Sequence, residues 1–382
     1  MGGEINSPHL EKNPKDGKNS IYRYGTNIIQ GWKKSLEVFN ICNTINISEN
    51  KTIDIFGIFD GHSGNSIAQY ISENFCNELS KNGNFIIQEY KQAIIETFVK
   101  IDKSLRKKEI NDVLENYSLK SKYKLTKDNN NDLDEEDLNR INTLMDIINP
   151  DNLEDVLISD YVGSSGIIIL LTGNITYIAN AGNSHFIIIN KNFEINNKII
   201  EKQKNYEEEE KNRIKIIKGL KYGKNIINED YSYTRGFGDY QYKTNDFIKI
   251  DSQEILAEPF IYEINQSDIK YIIVFNNGFY ENFQNMNMSE KDIDNKEIIY
   301  KNIADYFLQY LKDDQKAISE IISDYFNKYI PNDLNQINDN NKNSQVNSNN
   351  LSCIIVDFLH NNNNILIYFI ILFFSTYIYI SI

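Results

Sequence analysis

The sequence is short of cysteine, of positive charge and of secretory features. Its three cysteines, Cys42, Cys76 and Cys353, are widely spaced and show no metal-type pairing, so we expect reduced thiols in a cytosolic chain. Forty basic residues stand against 54 acidic ones, for a net charge of −14, and no lysine or arginine cluster offers a binding face for nucleic acid. No basic stretch followed by an apolar one occurs near residue 1, so we expect no cleaved secretory signal.

The two ends of the chain differ in composition from its middle. Residues 1–20 are polar and predict a flexible N-terminus; Gly2 would permit N-myristoylation, although Asn6 stands where that motif has a hydroxyl. Residues 365–382 carry no charge and reach the lower length limit for crossing a bilayer, which predicts a C-terminal membrane anchor on a cytoplasmic domain. A core segment, or translation of A/T-rich noncoding sequence, is the alternative interpretation of this tail.

The chain's 382 residues would allow two or three average domains, but single α/β or α+β domains of this size are common, and we predict one domain over residues 21–360, interrupted by a polar insertion. Runs of β-branched and aromatic residues predict strands over residues 22–46 (two strands), 55–59, 167–171, 176–180, 186–189, 271–275 and 351–358. Only short turns separate the three runs between 167 and 189, which predicts an antiparallel meander. Apolar residues at helical spacing predict helices over about 63–80 and 86–105, and further helices are predicted over about 292–311 and 315–329. A charged helix is predicted over 207–218, with the run Glu207–Glu210 as its solvated first turn. Residues 106–157 form the predicted insertion and 332–350 an asparagine-rich loop.

The stretch Phe59-Asp60-Gly61-His62 is the centre of the predicted domain, because a buried strand ends there in polar residues. It brings a carboxylate, a backbone carbonyl and an imidazole to one edge of a core. Carboxylate and carbonyl oxygens are hard ligands of the kind that Mg²⁺ or Mn²⁺ prefers. An ordinary Asp-Gly turn is the alternative, and the tripeptide alone does not decide between them.

Seven short motifs follow one another along the chain. They are Tyr24-Gly25 with Gln30-Gly31-Trp32; Phe59-Asp60-Gly61-His62; Gly163-Ser164-Ser165; Asn180-Ala181-Gly182-Asn183-Ser184; Thr234-Arg235-Gly236-Phe237-Gly238-Asp239; Asn277-Gly278-Phe279-Tyr280-Glu281; and Asn349-Asn350-Leu351-Ser352. In this order they resemble the PP2C (PPM) family of metal-dependent Ser/Thr protein phosphatases. The resemblance implies a β-sandwich of two antiparallel sheets flanked by helices, and it covers nearly the whole chain outside the insertion and the tail.

The resemblance also implies a catalytic site. In the family, two hard cations activate a water that attacks a phosphorus atom in line. By position, Asp60 would bridge the cations, the Gly61 carbonyl and Glu37 would complete one cation's protein ligands, and His62 would protonate the leaving alkoxide. Lys33 stands where the family has a phosphate-clamping arginine. The implied partners are proteins phosphorylated on serine or threonine.

Several carboxylates of that site are replaced in this chain. Asn277 and Asn349 stand where the other cation would have two carboxylate ligands, Asn183 stands where a third cation would have one, and Glu281 is a longer companion at that place. Exchanging a carboxylate for an amide removes charge that offsets the cost of desolvating a dication. We therefore predict at most one weakly bound Mg²⁺ or Mn²⁺ and a pseudophosphatase that binds or scaffolds phosphoproteins. The alternative is a genuine but slow Mn²⁺-dependent phosphatase.

Overall fold

Two antiparallel β-sheets packed face to face form the centre of the protein, and helices cover their outer faces. The computed structural model describes residues 4–33, 35–48, 51–128, 157–222, 234–243, 253–288, 292, 295–312, 315–330 and 349–359. Within these residues each sheet has six strands, and neighbouring strands pair antiparallel. The α+β sandwich predicted from the sequence is confirmed.

The described elements follow one another along the chain as short strands and helices. The strands are β1 (Glu4–Lys12), β2 (Lys15–Lys18), β3 (Tyr22–Lys33), β4 (Val38–Ser48), β5 (Lys51–His62), β6 (Gly163–Leu171), β7 (Ile175–Ala181), β8 (His185–Asn190), β9 (Phe237–Gly238), β10 (Phe260–Asn265), β11 (Ile269–Phe275) and β12 (Leu351–Phe358). The helices are α1 (Ser66–Ser80), α2 (Gly83–Ile86), α3 (Tyr90–Ser104), α4 (Lys108–Asp128), α5 (Asn197–Tyr222), α6 (Asn277–Asn287), α7 (Lys296–Leu311) and α8 (Ile318–Tyr329).

The two sheets have different strand orders. The first runs β1-β3-β12-β11-β8, with β2 also on β3, and the second runs β10-β7-β6-β5-β4, with β9 on β6. Strand β5 shows why the layers pack: Ile55 and Phe59 face the helices, whereas Phe56 and Ile58 face the other sheet. Side chains alternate along a strand, so a continuous apolar run buries both faces, at about 1.5–3 kcal/mol for each large side chain.

Helices bury the outer face of each sheet through stripes of apolar residues. Helix α1 buries Ile67, Ile71 and Phe75 at a spacing of four, and Phe75 packs edge-on against Phe98 of α3, with ring centroids 5.3 Å apart. Helices α6, α7 and α8 cover the first sheet in the same way, within one cluster of buried side chains. These layers hold β5 and β3 in place, and the candidate site lies where both strands end.

The N-terminal segment differs from the flexible end predicted from sequence. Strands β1 and β2 both pair with β3, over residues that are mostly exposed. Asp16 accepts a 2.9 Å hydrogen bond from the backbone N–H of Ser319 in the first turn of α8. Backbone pairing and this helix cap order a polar segment that buries few side chains, which is why composition did not reveal it.

The meander predicted between residues 167 and 189 is wrong in its third strand. Strands β6 and β7 pair as expected, but β8 pairs with β11 in the other sheet. Gly182 has a φ of +127°, a conformation that glycine tolerates best, in the short turn that carries the chain from one sheet to the other. A three-residue turn does not therefore guarantee a hairpin.

Predicted helix starts are wrong for α1 and for α5, which begins at Asn197 and not at residue 207. Helix α1 begins at Ser66 with Asn65 at its N-cap, whereas Ser63, the predicted cap, has a positive φ of 60°. The first part of the predicted insertion at residues 106–157 forms α4, which buries Leu114 in the core. Residues 129–156 lie outside the described part of the chain.

Other sequence predictions can be compared with the structure only where they fall on described residues. The thiols of Cys42, Cys76 and Cys353 are free, as expected. Residues 331–348 and 360–382, which include most of the asparagine-rich loop and the whole apolar tail, lie outside the described residues. Over the ranges that the structure describes, no helix has the length and apolarity needed to cross a membrane.

Candidate functional site

The candidate site lies where β3, β5 and β11 end and β12 begins, and two asparagines to which the sequence analysis assigned no role join these ends. Asn276 donates to Asp60 Oδ2 at 3.0 Å and to the Asn350 carbonyl at 2.8 Å. Asn350 accepts the Glu37 N–H at 2.7 Å and donates to the Gln30 carbonyl at 2.9 Å. Asn276 directly precedes the motif that begins at Asn277, and Asn350 belongs to the motif that begins at Asn349, so their position in or beside a motif was the available signal.

Asp60 is the half-buried carboxylate at the end of β5. Burial raises its pKa from 3.8 to about 6, although the Lys33 ammonium and the Asn276 hydrogen bond oppose the shift and the charge of Glu37 adds to it. A carboxylate that is costly to ionise gains most from a nearby positive charge. Asp60 is thus the anion of this site that a bound cation would stabilise most directly.

Glu37 and Lys33 form an ion pair beside Asp60. Lys33 Nζ lies 2.5 Å from Glu37 Oε2, and the Ser35 hydroxyl donates to Glu37 Oε1 at 2.8 Å. The Gly61 N–H donates to the Glu37 carbonyl at 2.9 Å, and a Cβ on Gly61 would come within 2.6 Å of the Gly64 carbonyl. Glycine at position 61 therefore lets the β5 end and the Glu37 backbone approach closely.

His62 pairs with Asp239, a residue to which the sequence analysis assigned no role. Its Nε2 lies 2.6 Å from Asp239 Oδ2, and the carboxylate is buried. The short strand β9 brings Asp239 there because Gly163 of β6 pairs with Gly238. A carboxylate at this distance orients the imidazole and favours the tautomer protonated on Nε2.

The replaced carboxylate positions form a hydrogen-bonded clamp around Glu281, to which we refer below as the amide clamp (Asn277, Glu281 and Asn349). Asn277 Nδ2 donates to Glu281 Oε1 at 2.6 Å, and Asn349 Nδ2 donates to Glu281 Oε2 at 2.9 Å. On the far side of the clamp, His185 Nε2 lies 3.3 Å from Asn277 Oδ1. Burial, reinforced by the charge of Lys296, lowers the pKa of His185 well below 6.5, so this imidazole is neutral.

The predicted site residues are therefore brought together in two groups. Lys33, Glu37, Asp60 and Gly61 form one, with His62 beside it, and the amide clamp forms the other; Asn276 contacts the first group and precedes the second in sequence. Asn183 lies in the turn between β7 and β8, and no contact described for this part of the chain links it to either group.

The residues present fit one hard cation better than two. Glu37, Asp60 and the Gly61 carbonyl can supply oxygens, and burial, which raises the pKa of Asp60, makes that carboxylate one that a nearby cation would help to ionise. In the amide clamp, both asparagines turn N–H donors toward the carboxylate, so their amides already satisfy the charge that a second cation would neutralise. Over the described ranges, no group of three His, Cys, Asp or Glu side chains is arranged to hold a metal.

Comparison with known families decides where this architecture belongs. The family model described as protein phosphatase 2C matches residues 22–121 and 108–290, well over half of the chain. The chain belongs to the protein phosphatase 2C family. The family match includes Lys33, Glu37, Asp60 and His62 and ends before Asn349, so that last position is aligned with the family through motif order alone.

Relatives of the 2C family resemble most of this chain. The probable protein phosphatase 2C 4 of Paramecium tetraurelia is 27% identical over 292 residues, 75% of this chain and 82% of that protein. Protein phosphatase 2C 1 of the same organism is 28% identical over 287 residues, 74% of this chain and 80% of that protein. The crystal structure of a phosphatase from a pathogenic strain of Toxoplasma gondii matches with a TM-score of 0.54 at 13% identity and covers 91% of this chain and 96% of that one, which supports the fold.

Proposed function

We propose that this 2C-family domain binds proteins phosphorylated on serine or threonine and hydrolyses them slowly or not at all, because it holds one catalytic cation where the family's chemistry uses two. One observation carries the proposal: Asn277 and Asn349 both donate hydrogen bonds to Glu281, so the second cation position is filled by neutral amides around a carboxylate. Losing about 4 kcal/mol of transition-state stabilisation at that position would slow turnover about a thousandfold.

Charge around the site makes phosphate recognition dependent on a cation. The Lys33 ammonium faces two carboxylates, those of Glu37 and Asp60, while Asp239 pairs with His62 and Glu281 accepts amide hydrogen bonds from the clamp asparagines. A phosphate dianion would be repelled by this surplus of negative charge. Glu37, Asp60 and the Gly61 carbonyl would hold the cation, which would supply positive charge to attract the phosphoryl group and to make water a better nucleophile.

The chain retains the proton donor that the family's chemistry requires, together with a carboxylate that orients it. Asp239 orients His62 through Nε2, and the imidazole in its doubly protonated form would give its other proton to the leaving oxygen of the phosphoester. Lys33 supplies charge without the bidentate fork of an arginine. Because the proton donor is preserved with its partner, a slow Mn²⁺-dependent phosphatase is the second candidate function.

Catalysis and binding can be separated by two assays on the full chain. We expect calorimetry to find one weak Mn²⁺ per chain, and we expect anisotropy to show Mn²⁺-dependent binding of a phosphothreonine peptide. Hydrolysis of a chromogenic phosphate ester should stay near background, and Asp60→Asn should abolish peptide binding. Two tight Mn²⁺ sites, with turnover that His62→Ala removes, would instead establish the second candidate.

Membrane attachment is proposed separately, because it rests only on the uncharged composition of residues 365–382. Expressed with and without these residues, the two forms should differ in membrane association that survives carbonate extraction. If both forms stay in the supernatant, the segment does not anchor the protein.

A further inference from the structure

We propose that the Lys33 ammonium is a built-in counter-ion of the Glu37–Asp60 pair and competes with a divalent cation for it. The inference rests on the single-cation site proposed above and assigns to Lys33 a role that opposes metal binding. If this is so, the Lys33 side chain determines how tightly the site binds a cation.

The contacts of Glu37 carry the argument. Its buried carboxylate is engaged at both oxygens, by the Lys33 ammonium at 2.5 Å and by the Ser35 hydroxyl at 2.8 Å. The same ammonium acts on Asp60, because its positive charge is the strongest influence that opposes the raised pKa of that carboxyl. Lys33 thus serves both carboxylates that could ligate a cation.

Steric crowding and charge repulsion prevent the Lys33 ammonium and a divalent cation from binding Glu37 Oε2 at the same time. A hard cation binds a carboxylate oxygen at about 2.0–2.6 Å, so at the same oxygen it would lie very close to the ammonium. Two positive centres at that separation repel strongly in a partly buried site. A cation can bind Glu37 Oε2 only after Lys33 has moved away.

The backbone around Glu37 determines which group moves. The Glu37 N–H donates to Asn350 Oδ1 at 2.7 Å, and the Glu37 carbonyl accepts from the Gly61 N–H at 2.9 Å. The Glu37 backbone is therefore fixed on both sides and its carboxylate is held by the Ser35 hydroxyl, whereas Lys33 has a flexible four-carbon stem at the end of β3. The lysine is the side chain that swings out, and the carboxylate stays in place.

Substitution of Lys33 tests this competition through binding, without reference to turnover. In calorimetry with Mn²⁺, Lys33→Met should bind one cation about tenfold or more tightly than the parent chain, because the competing charge is gone. Lys33→Arg keeps the charge and should stay within about threefold of the parent. Lys91→Met is the matched control: it removes the exposed Lys91–Glu263 pair, 2.9 Å long, and should leave Mn²⁺ affinity unchanged.

A second measurement uses the parent chain and does not depend on how the variant folds. In ¹⁵N-labelled protein, the Lys33 ammonium signal, assigned by its loss in Lys33→Arg, should shift on titration with Mg²⁺ while the Lys91 signal stays fixed. Equal or weaker Mn²⁺ binding by Lys33→Met, or a Lys33 signal that Mg²⁺ leaves unmoved, would overturn the competition. A single weak site in the parent chain would still support the proposed function in that event, whereas two tight sites would refute the proposed function itself.

Discussion

His62 and Asp239 lie 2.6 Å apart, Nε2 to Oδ2, and they meet because residue 163 has no side chain. A Cβ built on Gly163 would lie 1.9 Å from Asp239 Oδ2 and 2.2 Å from His62 Nε2. Asp239 itself has a left-handed backbone with a φ of 51°, which costs a non-glycine residue about 1 kcal/mol or more. The strained backbone of Asp239 and the glycine at position 163 both reduce local stability. Such an arrangement is expected where the position of the His62 imidazole matters for function.

Gly163→Ala should separate this pair. The added methyl group cannot fit without moving the buried Asp239 carboxylate, so we expect a loss of about 1–3 kcal/mol in the free energy of unfolding. Gly83→Ala is the control, since a Cβ there meets nothing within 4 Å and α2 begins at that residue. Urea unfolding of both variants measures the difference, and equal stabilities would show that the contact is not sterically tight.

The raised pKa of Asp60 predicts a pH dependence of stability with a definite sign. Between about pH 4 and pH 6 the folded chain holds the Asp60 proton more tightly than the unfolded chain, whose pKa is near 3.8, so this group's contribution falls as pH rises through that window. The full effect is at most about 3 kcal/mol. Above pH 7 it is constant.

Asp60→Asn removes that dependence and provides the test. Urea unfolding in EDTA at pH 4, 5, 6 and 7 should show the parent chain losing stability relative to the variant as pH rises from 4 to 6. Asp268→Asn, at an exposed carboxylate, should give a curve parallel to the parent. Parallel curves for Asp60→Asn as well would mean that burial does not raise the pKa of Asp60.

Substitution of Glu210 should strongly reduce the free energy of unfolding, although its place in a run of four glutamates indicated a solvated side chain. It lies within α5 and is buried between Arg213, 2.7 Å away, and Arg235, 3.0 Å away. Although burial raises its pKa, hydrogen bonds from both arginines hold it below 4.5 overall. Glu210→Ala leaves two cations without their partner and should cost about 3–5 kcal/mol. Glu208→Ala, in the exposed pair with Lys211, should cost less than about 0.5 kcal/mol in the same unfolding experiment.

The sequence predicted best the parts of the fold that rest on local apolar patterns. Strand β12 was predicted with the bounds observed, because a buried run of residues from Leu351 to Phe358 follows polar sequence. In the run Glu207–Glu210 the first three side chains are exposed as predicted, but the run is not a first turn, since α5 begins at Asn197. Glu210 is buried, because it pairs with Arg213 and with Arg235, which is distant in sequence. Likewise β8 has the expected length, yet its partner β11 lies about eighty residues later in sequence, beyond the reach of any turn rule.

The residues of the candidate site also fall into those that the local sequence revealed and those whose roles depend on distant contacts. Asp60 and His62 were found because a strand that ends in Asp-Gly-His is visible in one dimension. Asp239 and Asn350 were missed because their roles depend on contacts across 177 and 313 residues of chain. Motif order identified Asn277 and Asn349 as altered positions, but only the structure shows that their amides face Glu281.

Asn277→Asp with Asn349→Asp should convert the amide clamp into a cation site. In EDTA the double variant sets three carboxylates together and loses two hydrogen bonds to Glu281, so it should lose about 1–3 kcal/mol for each substitution. Mn²⁺ should restore that stability and add one bound cation per chain by calorimetry, and adding Lys33→Arg should raise phosphatase activity above the parent. Asn192→Asp places the same charge at an exposed turn and should bind no additional Mn²⁺. A triple variant that folds, binds no further cation and remains inert would show that Asn277 and Asn349 do not occupy the family's ligand positions.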